Sequence, residues 1–335
     1  MKKILCALYP AELVVLLMCF ATAFLYALLG IPLRAPLTRY LEQIPAVIEV
    51  YPLALFIALV ALFAARGYRS RRTSIAITER QILQEYVALY LRPRMILRDL
   101  RLLNAVMIMF VAFAQLKHLI PFINGRLYDS YIYAAEQWLF RGVSPTLRLQ
   151  QVIGLGAAGQ MSNAYILFYP VMVTSLIVLI MQRNPKLIHE YATAFTLTWL
   201  LGIFMIYALP TLGPCFYAPA EIANIPATRV LKLQQDLWSL KADVEADPHG
   251  VKGLYQISGQ PSLHLAIAIL GAVFLWKFCK PLGVLAWLFV AATLASTIYF
   301  GWHYLFDHLT AVVLVILSIA LARRIVGYWE KASGT

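Results

Sequence analysis

Residues 303–322 read HYLFDHLTAVVLVILSIALA. From Leu309 onward no residue is charged until Arg323, and the whole stretch has the length of about 20 residues that a helix needs to cross a hydrocarbon core. Its head carries His303, Asp307 and His308. Ionisable groups at membrane depth are costly, so they are candidates for function. His303 and Asp307 are four residues apart and share one helix face. A carboxylate there can accept an imidazole N–H and fix the ring's tautomer. The other ring nitrogen is then free to attack an electrophile.

The rest of the chain agrees with a membrane reading. Of its 335 residues, 61% are hydrophobic and only 13% charged, with a mean hydropathy of +0.74. A water-soluble domain carries roughly 25% charged residues. The composition excludes a soluble globular protein, a disordered chain, a disulfide scaffold and a nucleic-acid domain. The net charge of +12 is read as cytoplasmic loops meeting anionic headgroups rather than as a nucleic-acid surface. Cys6, Cys19, Cys215 and Cys279 lack metal or redox spacing and are expected to be free thiols.

Eight apolar segments lie near residues 11–31, 46–65, 102–122, 162–182, 190–211, 262–279, 282–300 and 303–322. The first follows Lys2 and Lys3, as a signal peptide would. It exceeds an ordinary signal core and no small-residue cleavage site follows, so an uncleaved helix is expected. With a cytoplasmic N-terminus, 18 of the 28 lysines and arginines fall on the cytoplasmic side, which predicts both termini inside. The resulting divisions are a two-helix membrane segment (1–66), a basic cytoplasmic linker with an amphipathic second half (67–101), a six-helix core (102–324) and a cytoplasmic tail (325–335). Short interfacial helices are expected in the outer loop 123–160. The loop 212–261 follows the turn Pro210-Thr211-Leu212-Gly213-Pro214 and is too long to be structureless.

A second cluster, Pro261-Ser262-Leu263-His264, opens the sixth segment. Proline suits a helix's first turn, and the free amides there favour an anion such as phosphate. From His264 the chain runs inward, turns at Lys280-Pro281-Leu282-Gly283, and returns to His303. Each leg is ~18 residues, or about 27 Å at the helical rise. Both histidines are therefore expected at one depth, on the outer face.

These motifs resemble those of the type 2 phosphatidic acid phosphatase superfamily, and within it the inositol phosphorylceramide synthase-like branch. That family's middle motif is similar to PSLH at 261–264, its last motif to HYLFD at 303–307, and a Gly-Pro turn of the branch to PTLGP at 210–214. The resemblance covers residues 102–322 and leaves 1–101 without a counterpart. It implies that His303 is a nucleophile forming a phosphohistidine, that Asp307 orients and charges it, and that His264 protonates the leaving group. It also implies a lipid-linked phosphate donor, an alcohol, lipid or water acceptor, and neither a metal nor an organic cofactor.

Two features depart from the family pattern. No Lys-x6-Arg-Pro motif appears in the expected region, and the Ser-Arg pair expected before the last histidine is Ser296-Thr297. Another cation must neutralise the phosphate, and Arg126, Arg148, Arg229 and Lys252 are candidates together with the amides at Ser262. These losses resemble the transferase branch. Ser262 is open between phosphate ligand and N-cap, and His308 between lining the substrate path and packing. His118, His189 and His249 read as interfacial residues. A zinc site at His264, His303, Asp307 and His308 is disfavoured, because adjacent Asp307 and His308 cannot easily converge with the other two in a tetrahedron. A transporter or scaffold, with Glu49, Asp129 and Glu136 as coupling groups, is the non-enzymatic alternative.

The expectation is an all-α polytopic bundle of about eight membrane helices with a six-helix catalytic core. The leading function is a lipid phosphotransferase and the second a lipid phosphate phosphatase. The setting is a bacterial inner membrane with a periplasmic site; the oligomeric state is not legible.

Overall fold

A computed structural model describes residues 7–73, 78–247 and 253–333. All of its regular structure is helical. Among the described residues, six helical stretches are long and apolar enough to cross a membrane: Pro10–Leu29, Pro36–Ala64, Leu155–Met181, Pro185–Ala208, Lys280–Tyr299 and Leu305–Ser333. At the two other expected positions stand the 26-residue helix Pro93–His118 and the shorter apolar helix Leu263–Phe278. Large apolar side chains such as Phe20, Phe56 and Ile316 face outward, an arrangement that fits lipid and not water.

The helices used below are α1 (Pro10–Leu29), α2 (Ile44–Thr73), α3 (Glu79–Tyr86), α4 (Pro93–His118), α5 (Asp129–Leu139), α6 (Pro145–Ile153), α7 (Ala158–Ile166), α8 (Phe168–Met181), α9 (Pro185–Ala208), α10 (Arg229–Ala246), α11 (Leu263–Phe278), α12 (Lys280–Tyr299) and α13 (Leu305–Ser333). The most enclosed is α9, which touches α1, α4, α8, α11 and α13. Its start is fixed by Asn184, whose side chain accepts the Leu187 amide, with Pro185 in the first turn. Thr196 and Thr198 turn their hydroxyls back onto carbonyls one turn earlier, so these two buried hydroxyls keep a partner within the helix. The antiparallel pair α11 and α12 packs with α13 on one side of it.

The N-terminal helices are bound to this core. Glu12 of α1 pairs with Arg101 of α4 at 2.5 Å, and Asp99 is enclosed between Arg98 and Arg183 with the Tyr51 hydroxyl of α2 at 3.4 Å. Two boundaries differ from the sequence expectation. The linker's amphipathic second half is divided: α3 ends at Tyr86 and passes into a π-helical turn over Val87–Leu91, and α4 starts at Pro93 and runs unbroken to His118. Pro93 cannot donate to a preceding turn and forces Arg92 into extended backbone. At the other end α13 continues to Ser333, past residue 324, and Trp329 donates to the Leu8 carbonyl.

Candidate active site

The site lies at one end of the bundle, where α4 and α9 end, α11 and α13 begin, and the two long loops sit. Ser262 caps α11 by accepting the Leu265 amide and is itself fully enclosed. This cap places His264 in the first turn. Gly301, at φ +64, turns the chain out of α12 and toward α13, and His303 follows it. The two histidines are neighbours: His303 Nε2 is 3.4 Å from His264 Nδ1. On the other side of the ring, His303 Nδ1 is 3.4 Å from Asp307 Oδ2. That carboxylate is buried and accepts the Tyr304 amide at 2.9 Å, while the Asp307 carbonyl accepts the Ser262 amide at 3.0 Å. The middle and last motifs are thus joined through backbone as well as side chains.

His264 and His303 line a cavity of about 360 Å³, a size suited to a small ligand group. Its walls are aromatic. Tyr165 stacks on Trp302 with ring centres 5.3 Å apart, and Tyr165 and Phe168 contact the His264 ring. Leu233 and Leu237 of α10 cover it from the loop side. One cation reaches it among the described residues, Lys117 in the last turn of α4, and its charge is felt at both imidazoles. The sequence reading did not select Lys117.

The other expected residues are elsewhere. Arg126 is exposed and held by Tyr131, with its guanidinium over the Tyr128 and Tyr131 rings. Arg148 is exposed and donates to the Phe140 carbonyl, and Arg229 is an exposed first residue of α10. None of the three lines the cavity. Lys252 and His249 lie outside the described residues. The Ser262 hydroxyl is used as the N-cap. His308 is buried beside the site, with its ring centre 5.6 Å from that of His303 and Nε2 3.4 Å from Thr297 Oγ1. Among the described residues no cluster of three His, Cys, Asp or Glu could hold a metal ion.

The PTLGP turn is the joint that holds these parts. Thr211 accepts the Gly259 amide with its carbonyl and the Gln260 amide with its hydroxyl. The amides of Leu212 and Gly213 both donate to Asp129 at 3.0 Å, and Cys215 N donates to the Gly301 carbonyl. Gly213 sits at φ +98, and a Cβ there would clash with the Trp302 carbonyl oxygen. Gly213→Ala is therefore expected to cost about 3 kcal/mol through backbone strain and the clash. Thermal unfolding in detergent measures this; an unchanged midpoint would mean that the turn can move.

Two carboxylates of α5 complete the surroundings. Asp129 accepts the Tyr304 hydroxyl as well as the two loop amides, and burial still raises its pKa. Glu136 accepts the amides of Leu305 and Phe306 at the start of α13. Burial pushes its carboxyl up to about 7, opposed by those amides and reinforced by Asp307 and Glu221. A carboxyl raised in the folded state binds its proton more tightly there than in the unfolded chain. Its contribution to stability is fully present below the ordinary value of 4.5 and is lost as pH rises toward about 7. Glu136→Gln is expected to flatten this part of the pH dependence of the unfolding midpoint. A slope identical to the unmodified protein would contradict it.

Two histidines and one lysine thus meet at a cavity in a helical membrane bundle, with Asp307 on the far side of the His303 ring. The family model of the PAP2 superfamily matches residues 130–321, and the chain belongs to that superfamily. It is accordingly a membrane enzyme of the lipid phosphatase and phosphotransferase type. Searches among curated proteins and solved structures return no match.

Proposed function

We propose that the chain is a lipid phosphotransferase that works through a phosphohistidine at His303. The observation that carries this reading is the line Asp307–His303–His264, with both His303 ring nitrogens 3.4 Å from a partner on opposite sides of the ring. His303 Nε2 attacks the phosphorus of a lipid-linked phosphate. The P–N bond forms, the P–O bond to the lipid alcohol breaks, and His264 gives the leaving oxygen its proton. The acceptor hydroxyl then returns a proton to His264, and its oxygen displaces His303 from phosphorus. Asp307 holds the Nδ1 side of the imidazole and offsets its charge, and Lys117 neutralises the phosphate in a cavity walled by aromatic rings.

The transferase branch, similar to inositol phosphorylceramide synthases, is favoured by the PSLH and PTLGP sequences and by Thr297 where phosphatases carry arginine. Lysine and arginine counts support an outward-facing site with both termini inside, and the membrane is proposed to be a bacterial inner membrane. The division into a two-helix segment, linker and six-helix core is part of the same proposal.

The test incubates purified protein with radiolabelled phospholipids and prenyl phosphates and separates the products by thin-layer chromatography, with and without vanadate. A new labelled lipid supports the transferase. Free phosphate alone supports the phosphatase with water as acceptor. Identical patterns with and without protein would favour a transporter or scaffold.

A further inference from the structure

Helix α5 has its polarity inverted relative to an ordinary surface helix, which buries an apolar stripe. Asp129, Ile132, Tyr133 and Glu136 follow an i, i+3, i+4, i+7 spacing and form one face. The two carboxylates are 1% and 2% exposed, whereas Trp138 is 83% and Tyr131 61% exposed. Aromatic side chains on that outer face suit a membrane interface. Buried carboxylates need donors, and their donors are specific. The Tyr304 hydroxyl donates to Asp129 at 2.9 Å, and the Leu305 and Phe306 amides both donate to Oε1 of Glu136. These three residues directly follow His303. Tyr304 in turn donates its amide to Asp307. Neither α5 carboxylate lines the cavity, so neither meets the substrate.

We propose that Asp129 and Glu136 are positioning residues: from one face of α5 they grip the 304–306 turn and thereby set His303 against Asp307 and His264. The proposal rests on the reading of His303 as nucleophile. Glu136 satisfies two of the amides that a helix start leaves without an intrahelical partner, at the half-buried Leu305 and Phe306. Asp129 fastens the same turn to the Leu212–Gly213 backbone, so three chain segments move together or not at all.

The experiment compares steady-state turnover and unfolding midpoints of the full-length protein in detergent, using a radiolabelled lipid phosphate donor, for Glu136→Ala, Glu136→Gln, Tyr304→Phe and His303→Asn. Misplacing a reacting group by a fraction of its bond reach costs about 10–100-fold, and Glu136→Ala should lose that much in kcat with KM nearly unchanged. Glu136→Gln keeps an amide oxygen where Oε1 stands and should recover to within about 3-fold of the unmodified enzyme. Tyr304→Phe removes only the hydroxyl and should lose about 10-fold in kcat at a similar midpoint. Unmodified kcat in Tyr304→Phe and Glu136→Ala, with His303→Asn inactive, overturns the positioning role alone. Equal losses in Glu136→Gln and Glu136→Ala overturn it too, because charge rather than placement would then matter. Should Glu136→Ala fail to fold, Tyr304→Phe and Glu136→Gln decide the question. Turnover surviving in His303→Asn overturns the nucleophile reading and this proposal with it.

Discussion

His303→Asn is expected to lower turnover by about 10⁴-fold or more, the scale seen when a nucleophile that works as part of a unit is removed. Asparagine cannot supply the Nε2 lone pair that faces His264. It remains small enough for the enclosed site, where His303 is 5% exposed. Asp307 loses the imidazole beside Oδ2 but keeps its bond from the Tyr304 amide, and the asparagine amide offers a donor in place of the ring. The unfolding midpoint should therefore stay within a few degrees while activity disappears. Turnover and thermal unfolding of the same preparation check both halves. Retained turnover would assign the chemistry to another group.

Lys117→Met should lower kcat/KM by about 10²–10³-fold, or 3–4 kcal/mol, with Lys117→Arg recovering part of it. Among the described residues no second lysine or arginine lines the cavity, so the phosphate would meet imidazoles and aromatic walls alone. An unpaired ammonium in such a site is costly to the fold, and methionine matches its length without the charge. Stability should hold or rise as activity falls. A loss of both together would make Lys117 a structural residue and require another phosphate ligand.

Much of the site was legible because its signals are local. The His303–Asp307 spacing lies within one helix turn, and the equal legs from His264 and to His303 follow from helix rise and core thickness. Lys117 was not legible by that route. A lysine ending an apolar run reads as a side chain reaching for the interface, and only the fold, which brings the end of α4 to the cavity lined by His264 and His303, gives it a different neighbour. The usable signal was topological, since the third expected span ends at the same end of the bundle as His264 and His303. Arg126 and Arg148 were attractive as charges in the outer loops, yet loop arginines have solvent and exposed aromatic rings to turn to. Asp129 and Glu136 carried a signal in their seven-residue spacing. Their partners are backbone amides and a buried hydroxyl, which no residue-type pattern announces. The start of α4 is legible at Pro93, which suits the first turn of a helix and holds Arg92 extended.

The most direct test of the account is to find the phosphate on the protein. Full-length enzyme is given a radiophosphorus-labelled lipid donor without acceptor, quenched in alkali, where a P–N bond survives, and digested for peptide mapping. The expected result is label on the peptide containing His303, lost on acid treatment and absent in His303→Asn. Label on Ser262 or another residue, or turnover without any bound label, would contradict a phosphohistidine mechanism.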